Sequence, residues 1–219
     1  MNDFFTRLFA GITYISLIAG SILYSEITFI LICFVFFSIA VYESHQLWVK
    51  IKPKEGYFQY PIPQLSVILA LIFLISVPFG GLGFDEIYNP YSVLLIFILI
   101  WITDTMAYLF GVNCGKNKIH QKYSPNKTWE GFAGGFLCCI IFSVFSFNYI
   151  HEIYPLWKTV LLGVFIPIFG LIGDLAQSKV KRAAGSKDSG ILIPGHGGLY
   201  DRLDSTIGVA PFAMLIQII

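Results

Sequence analysis

Apolar residues run along this chain in long unbroken blocks, without the one-in-two rhythm of a half-buried strand or the one-sided stripe of a surface helix. Seven such blocks read as helical membrane spans: Leu8–Tyr24, Ile27–Trp48, Leu65–Leu82, Tyr91–Val112, Gly131–Ile150, Trp157–Leu175 and Thr206–Ile219. A helix that is apolar on every side has lipid or other helices on every side. A hydrocarbon core about 30 Å thick needs about 20 residues at ~1.5 Å each, so the first and last blocks are short. The pattern predicts an all-α, polytopic transmembrane helix bundle of about seven spans.

Composition agrees: 56% of the 219 residues are hydrophobic, 17% aromatic and only 12% charged, too apolar for a soluble domain. The positions of the charges add orientation. Thirteen of the fourteen Lys and Arg residues lie on one side of the predicted membrane, with Lys158 alone opposite. The positive-inside rule then puts the N-terminus in the cytoplasm and the C-terminus outside. Arg7 ahead of the first block allows a signal peptide, but a second block follows almost at once, so an uncleaved first span is expected. The net charge of +1 gives no reason to expect nucleic acid. Four Cys and four His show neither metal-ligand spacing nor a disulfide framework.

The acidic residues narrow the chemistry. Glu43, Asp104 and Asp174 fall within spans, all toward the cytoplasmic ends, while Glu130 and Asp204 open the fifth and seventh spans from that side. A carboxylate in a membrane costs roughly 2.5–3.5 kcal/mol on insertion scales and normally faces a bundle interior or a wet cavity. A pore would spread these groups through the depth. Their gathering at one face predicts a cytoplasm-facing pocket.

Two polar loops border that pocket, 113–130 and 176–205. The stretch from Asp174 to Asp204 holds four Asp, three Lys and two Arg. If the helix carrying Asp174 continues, Ser178, Lys181 and Arg182 share its face, placing a hydroxyl and two cations beside a carboxylate. Such a face suits a phosphorylated ligand with a metal ion. The Pro194-Gly195-His196-Gly197-Gly198 run implies close approach of backbone to something. A solvated mixed-charge loop is the plainer reading of the same composition. In the other loop, Ser124 before Pro125 reads as an N-cap with Pro at the first helical position, a potential anion site. An ordinary cap beside an interfacial Trp129 reads equally well. Gly131 and Gly135 suit helix packing more than substrate contact. Gly111-x-x-x-Gly115-Lys116-Asn117 is one residue short of a P-loop and lacks its Ser/Thr, and no Rossmann glycine pattern occurs.

Ser178-x-x-Lys181-Arg182, Lys187-Asp188, Pro194-x-His196-Gly197-Gly198 and Asp201-Arg202-x-Asp204 resemble the signature of the phosphatidate cytidylyltransferases (CDP-diacylglycerol synthases). Asp104-x-x-Ala107-Tyr108 and the Ser124-to-Gly131 run resemble that family's other recurrent block. The resemblance covers Asp104 to Asp204; before that it rests on Arg7 and Tyr42-Glu43, and the chain looks short for the family. It implies transfer of cytidylyl from CTP to phosphatidic acid, giving CDP-diacylglycerol and pyrophosphate, at the cytoplasmic face of a bacterial inner (plasma) membrane. It implies residues 1–90 as transmembrane scaffold and 91–219 as the catalytic transmembrane region. Two anions must meet and a pyrophosphate must leave, which calls for a divalent metal and fixed cations. Asp174 and Asp201 are the first choice as Mg²⁺ ligands, with Asp204 supporting and a second cation left open. Lys181, Arg182, Lys187 and Arg202 would neutralise phosphate oxygens. Ser124, Asn126, Lys127, Thr128, Ser178, Asp188, Gly197, Gly198 and Asp104 complete the expected substrate contacts. His196 would orient substrate before it would act as an acid or base. CTP, phosphatidic acid and the bilayer are the expected partners, with a homodimer open. A CTP-dependent lipid kinase or another lipid nucleotidyltransferase is the nearer alternative, and a cation transporter the distant one.

Overall fold

A computed structural model of the chain describes residues 2–51, 61–82, 87–192 and 197–219, with the backbone alone at 2–4 and 6–8. The expectations for the Arg7 side chain, Lys52, Lys54, Pro194, Gly195 and His196 lie outside what it describes. Seven helices run in sequence: α1 (Asn2–Tyr24), α2 (Glu26–Lys50), α3 (Ile62–Ser76), α4 (Pro90–Cys114), α5 (Trp129–Ile150), α6 (Leu156–Ala183) and α7 (Asp204–Ile218). Short 3-10 turns follow α3 at Val77–Phe79 and precede α7 at Tyr200–Arg202. Five of these are long and apolar enough to cross a membrane: α2, α3 with its 3-10 extension, α4, α5 and α6. The apolar parts of the other two, Phe9–Tyr24 and Asp204–Ile218, are shorter.

Side-chain caps set the starts of α2, α4 and α5. Ser25 and Thr28 form a reciprocal capping box at α2, and Asn89 caps α4 ahead of Pro90. The helices pack α4 on α5, α5 on α6, α6 on α7, and α3 on both α2 and α7, with α1 against α2 and α4. Phe29, Phe37, Leu74, Leu99 and Leu162 fill the interior, whereas Phe34, Leu137 and Ile141 point outward as a lipid-facing girdle would require. Two seams are backbone-close. A Cβ on Gly131 would sit 2.6 Å from the Ala107 carbonyl oxygen, and one on Gly135 would sit 2.7 Å from that of Thr103. Gly173 and Gly208 play the same part between α6 and α7. The glycines expected to serve packing do so.

Two expectations need correction. The loop after α4 is not helical at Ser124: Ser124–Thr128 is strand β2, paired antiparallel with β1 (Lys118–His120). Pro125 is tolerated because it lies in a two-stranded ribbon, where no further strand asks for its missing N–H. The cap of α5 is Thr128, whose extended backbone lets Oγ1 accept from the Gly131 N–H at 3.1 Å. The fold is therefore helical with one small hairpin. The sixth apolar block also ends later than its hydropathy. The α6 helix continues to Ala183, and 28 residues at ~1.5 Å reach roughly 42 Å, well beyond a ~30 Å core. Its last two turns carry charge because they lie past the apolar part of the helix.

Candidate active site

Where α4 and α6 end and α5 and α7 begin, the helices enclose a cavity of about 810 Å³. Its lining combines apolar residues, among them Ile15, Ile100, Trp101 and Ile166, with the charged Asp104, Lys127, Asp174, Arg202 and Asp204. Ser124, Asn126 and Thr128 of the hairpin strand also face it. A lining that joins apolar and charged side chains suits an amphiphile with an anionic head.

Lys127 is the hub of the charged residues. Its Nζ pairs with Asp174 Oδ2, and the fields of Asp204 and Asp104 also act on it. Burial lowers its ammonium below the ordinary lysine range; the two carboxylates pull back upward, and Lys181 adds to the lowering. Asp174 receives a second hydrogen bond, from Ser178 Oγ to Oδ1 at 3.2 Å, one helical turn on as the spacing predicts. Ser205 Oγ lies 3.5 Å from both oxygens of Asp104. Lys127 reaches this place because Thr128 stops β2 and starts α5. The carboxylate of Glu130, in the first turn of α5, accepts from the Lys116 and Asn117 N–H groups and ties the hairpin down.

Asp201 is held differently. Its Oδ1 accepts from Lys181 Nζ at 2.7 Å, and its Oδ2 takes the N–H groups of Ser189 and Gly198 and faces Ser189 Oγ. Burial alone would raise this carboxyl, but the Lys181 ammonium and the N–H groups prevail and hold it below the usual carboxylate range. Beside it, burial first and then Asp204 and Asp201 push the Tyr200 phenol up. Gln177 donates to the Tyr200 carbonyl and Tyr14 to that of Arg202, so α6 and α1 both grip this turn. Gly197 has φ of +87°, a left-handed conformation that its lack of a Cβ makes cheap, and a Cβ there would sit 2.7 Å from Asp201 Oδ2.

The structure therefore gathers Asp104, Ser124, Asn126, Lys127, Thr128, Asp174, Asp201, Arg202 and Asp204 around one cavity. Ser178 and Lys181 stand directly behind it, each on one of its aspartates. Five expected contacts do not line it: Arg182 is exposed and donates to the Ser186 carbonyl at 3.2 Å, Lys187 and Asp188 are exposed on the loop, and Gly197 and Gly198 pack against Asp201. Helical geometry explains Arg182, since one residue beyond Lys181 turns the side chain about 100° away. Sequence reading put Glu43 among the carboxylates gathered toward the pocket but gave it no role; its buried carboxylate holds the loop. Its signal was there, a carboxylate inside an apolar span, but no spacing rule links it to a loop nearly 150 residues on.

Hard carboxylate oxygens at Asp174 and Asp201 are the right donors for Mg²⁺, and each accepts an ammonium that a metal ion would have to displace or share the carboxylate with. Among the described residues no three His, Cys, Asp or Glu side chains converge into a cage. Mg²⁺ commonly needs only one or two protein carboxylates, with phosphate and water completing the shell. The residues fit that mode.

Membrane-length apolar helices around a charged cavity at one end define the class: an integral membrane helix bundle with an internal polar site. The sequence model of the cytidylyltransferase family matches residues 64–219, and the chain belongs to that family. Proteins named phosphatidate cytidylyltransferase are similar over 71% of this chain. Those of Staphylococcus saprophyticus and Staphylococcus haemolyticus are 40% and 39% identical, and that of Staphylococcus aureus strain COL is 41% identical. The match spans 62% of each relative's own length.

Proposed function

We propose that the chain transfers cytidylyl from CTP to phosphatidic acid, giving CDP-diacylglycerol and pyrophosphate. The observation that carries this reading is a single cavity whose lining combines apolar residues of α1, α4 and α6, suited to acyl chains, with charged residues suited to phosphates. The lipid phosphate, largely dianionic at neutral pH with its second pKa near 6, attacks the α-phosphorus of CTP, and the bond to the β-phosphate breaks. No protein nucleophile is required. Lys127 and Arg202 neutralise phosphate oxygens at the charged part of the lining, and Asn126 and Ser124 offer neutral hydrogen bonds to the nucleotide. Asp174 and Asp201 would hold Mg²⁺, which supplies charge neutralisation where the two anions meet. Lys181 and Ser178 keep those two aspartates in place. All seven helices would lie in the membrane with the N-terminus cytoplasmic, as the charge distribution implies. The site then opens where CTP is dissolved and where a basic face draws anionic lipid.

The deciding experiment supplies purified protein with labelled CTP, phosphatidic acid and Mg²⁺ and follows lipid-soluble cytidylate. Label in the lipid fraction with release of pyrophosphate supports the reading. Transfer of the terminal phosphate to a lipid alcohol would replace it with a lipid kinase, and absence of either product would overturn it.

A further inference from the structure

We propose that Glu43 is a positioning residue of the transfer site: it fixes the loop through residues 189 and 198–201 and, by way of Ser189, the place of Asp201. This rests on the cytidylyltransfer reading. Among the described residues α2 contributes nothing to the cavity wall, yet Glu43 projects from it into the polar loop. Oε1 accepts from the Leu199 N–H at 3.2 Å, and Oε2 from the Tyr200 N–H at 2.8 Å and Ser189 Oγ at 2.9 Å. All three donors belong to the loop. A buried carboxylate in an apolar helix persists only when such partners satisfy it.

The loop is shaped to receive it. A Cβ on Gly190 would sit 2.6 Å from Glu43 Oε1, and one on Gly198 would collide with Oε2. The two glycines form a cradle that any side chain would fill. Ser189 Oγ also lies 2.9 Å from Asp201 Oδ2. A hydroxyl has one proton, so it bonds one carboxylate at a time and spaces the two apart. Glu43 and Asp201 therefore clasp the loop from opposite sides of one serine, and a shift of either moves the other.

Glutamine cannot replace this carboxylate fully. Whichever way its amide is turned, the NH₂ faces either the Leu199 or the Tyr200 N–H, and one buried donor is left unpaired. Alanine leaves the Leu199 and Tyr200 N–H groups unpaired, while the Ser189 hydroxyl keeps Asp201 as its acceptor.

The test uses the full chain in detergent or nanodiscs. It compares wild type with Glu43→Gln, Glu43→Ala, Ser189→Ala and the Glu43→Ala/Ser189→Ala double variant. Phe29→Leu is the control, placed at the far end of α2. Turnover per folded enzyme, the Mg²⁺ concentration for half-maximal rate, thermal melting and amide exchange are measured. We expect turnover to fall about tenfold in Glu43→Gln and toward about a hundredfold in Glu43→Ala, with a raised Mg²⁺ requirement. Exchange should quicken in peptides holding Ser189, Leu199 and Tyr200 and stay unchanged in α4 and α5. Ser189→Ala should cost less in the Glu43→Ala background than alone. Phe29→Leu should lower the melting temperature and leave turnover per folded enzyme unchanged. Wild-type turnover in Glu43→Ala, exchange raised throughout the bundle, or multiplicative losses in the double variant would each overturn the proposal. If wild type itself transfers no cytidylyl, the functional reading fails; loop-confined exchange in Glu43→Ala would then still report the clasp, and unaltered loop exchange would reject it.

Discussion

Replacing Lys181 with methionine removes one charge and keeps most of the volume. The Lys181 and Asp201 side chains are only 11% and 5% exposed, so water cannot take over the lost contact. Breaking a buried pair from one side costs about 3–5 kcal/mol, and the donors remaining on Asp201 Oδ2 argue for the lower end, about 3 kcal/mol. At ~2–4 °C per kcal/mol for a chain of this size, melting should fall by roughly 6–12 °C. The pH dependence gives a second reading. Asp201 has a folded pKa below its unfolded value of about 3.9, so its stabilisation is complete above that pH and drains away as pH falls through the lower folded value. Without Lys181 the carboxyl is no longer held as far down, so the share of stability that acid removes through Asp201 should shrink and the acid limb should be flatter than in wild type. Melting scans from pH 7 down to about 3.5, with Asp201→Asn alone and combined with Lys181→Met, measure both effects. The double variant should recover part of the loss because no uncompensated charge remains. A Lys181→Met melting point within about 2 °C of wild type and an unmoved acid limb would refute the argument.

Asp174→Asn should stay folded but lose cytidylyltransfer and its dependence on Mg²⁺ or Mn²⁺; normal rate and metal titration in a folded variant would remove Asp174 from the site. Thr128→Ala should destabilise by about 1 kcal/mol while Ser124→Ala changes melting little, and the reverse order would restore the cap to Ser124. Single cysteines at Lys122 and Lys187 should label from one side of a sealed vesicle and a cysteine at Glu152 from the other. Labelling of all three from the same side would sink the seven-span topology.

Much of the fold was legible because lipid removes choices: an all-apolar block long enough to cross has little option but a helix. Most helix ends were therefore found within a few residues, while α6 runs eight residues past its apolar block, along the face where Ser178 lies one turn on from Asp174. What escaped sequence reading was set by competition between neighbours. At Ser124 a good capping pair lost to strand pairing with His120, and Thr128 took the cap. At Arg182 the offset of eight from Asp174 was read as the same helical face, but it lies about 80° round the helix and the side chain turns outward. The role of Glu43 escaped because the contacts that explain it come from the far end of the chain.

The glycine seam between α4 and α5 has a mechanical consequence. Because the two backbones touch at Gly131 and Gly135, no compliant side chain cushions those two contacts between the helix bearing Asp104 and the one that β2 feeds. Lys127 stands four residues before Gly131, so its distance from Asp104 is gauged by that contact much as a shim gauges a gap. An alanine at Gly131 would force the helices apart by a fraction of an ångström, and the ammonium would travel with them. Tolerance at this seam should therefore be narrower than its distance from any reacting atom would suggest, and drift in the lipid-facing residues of α5 should matter far less than a single methyl group at that contact.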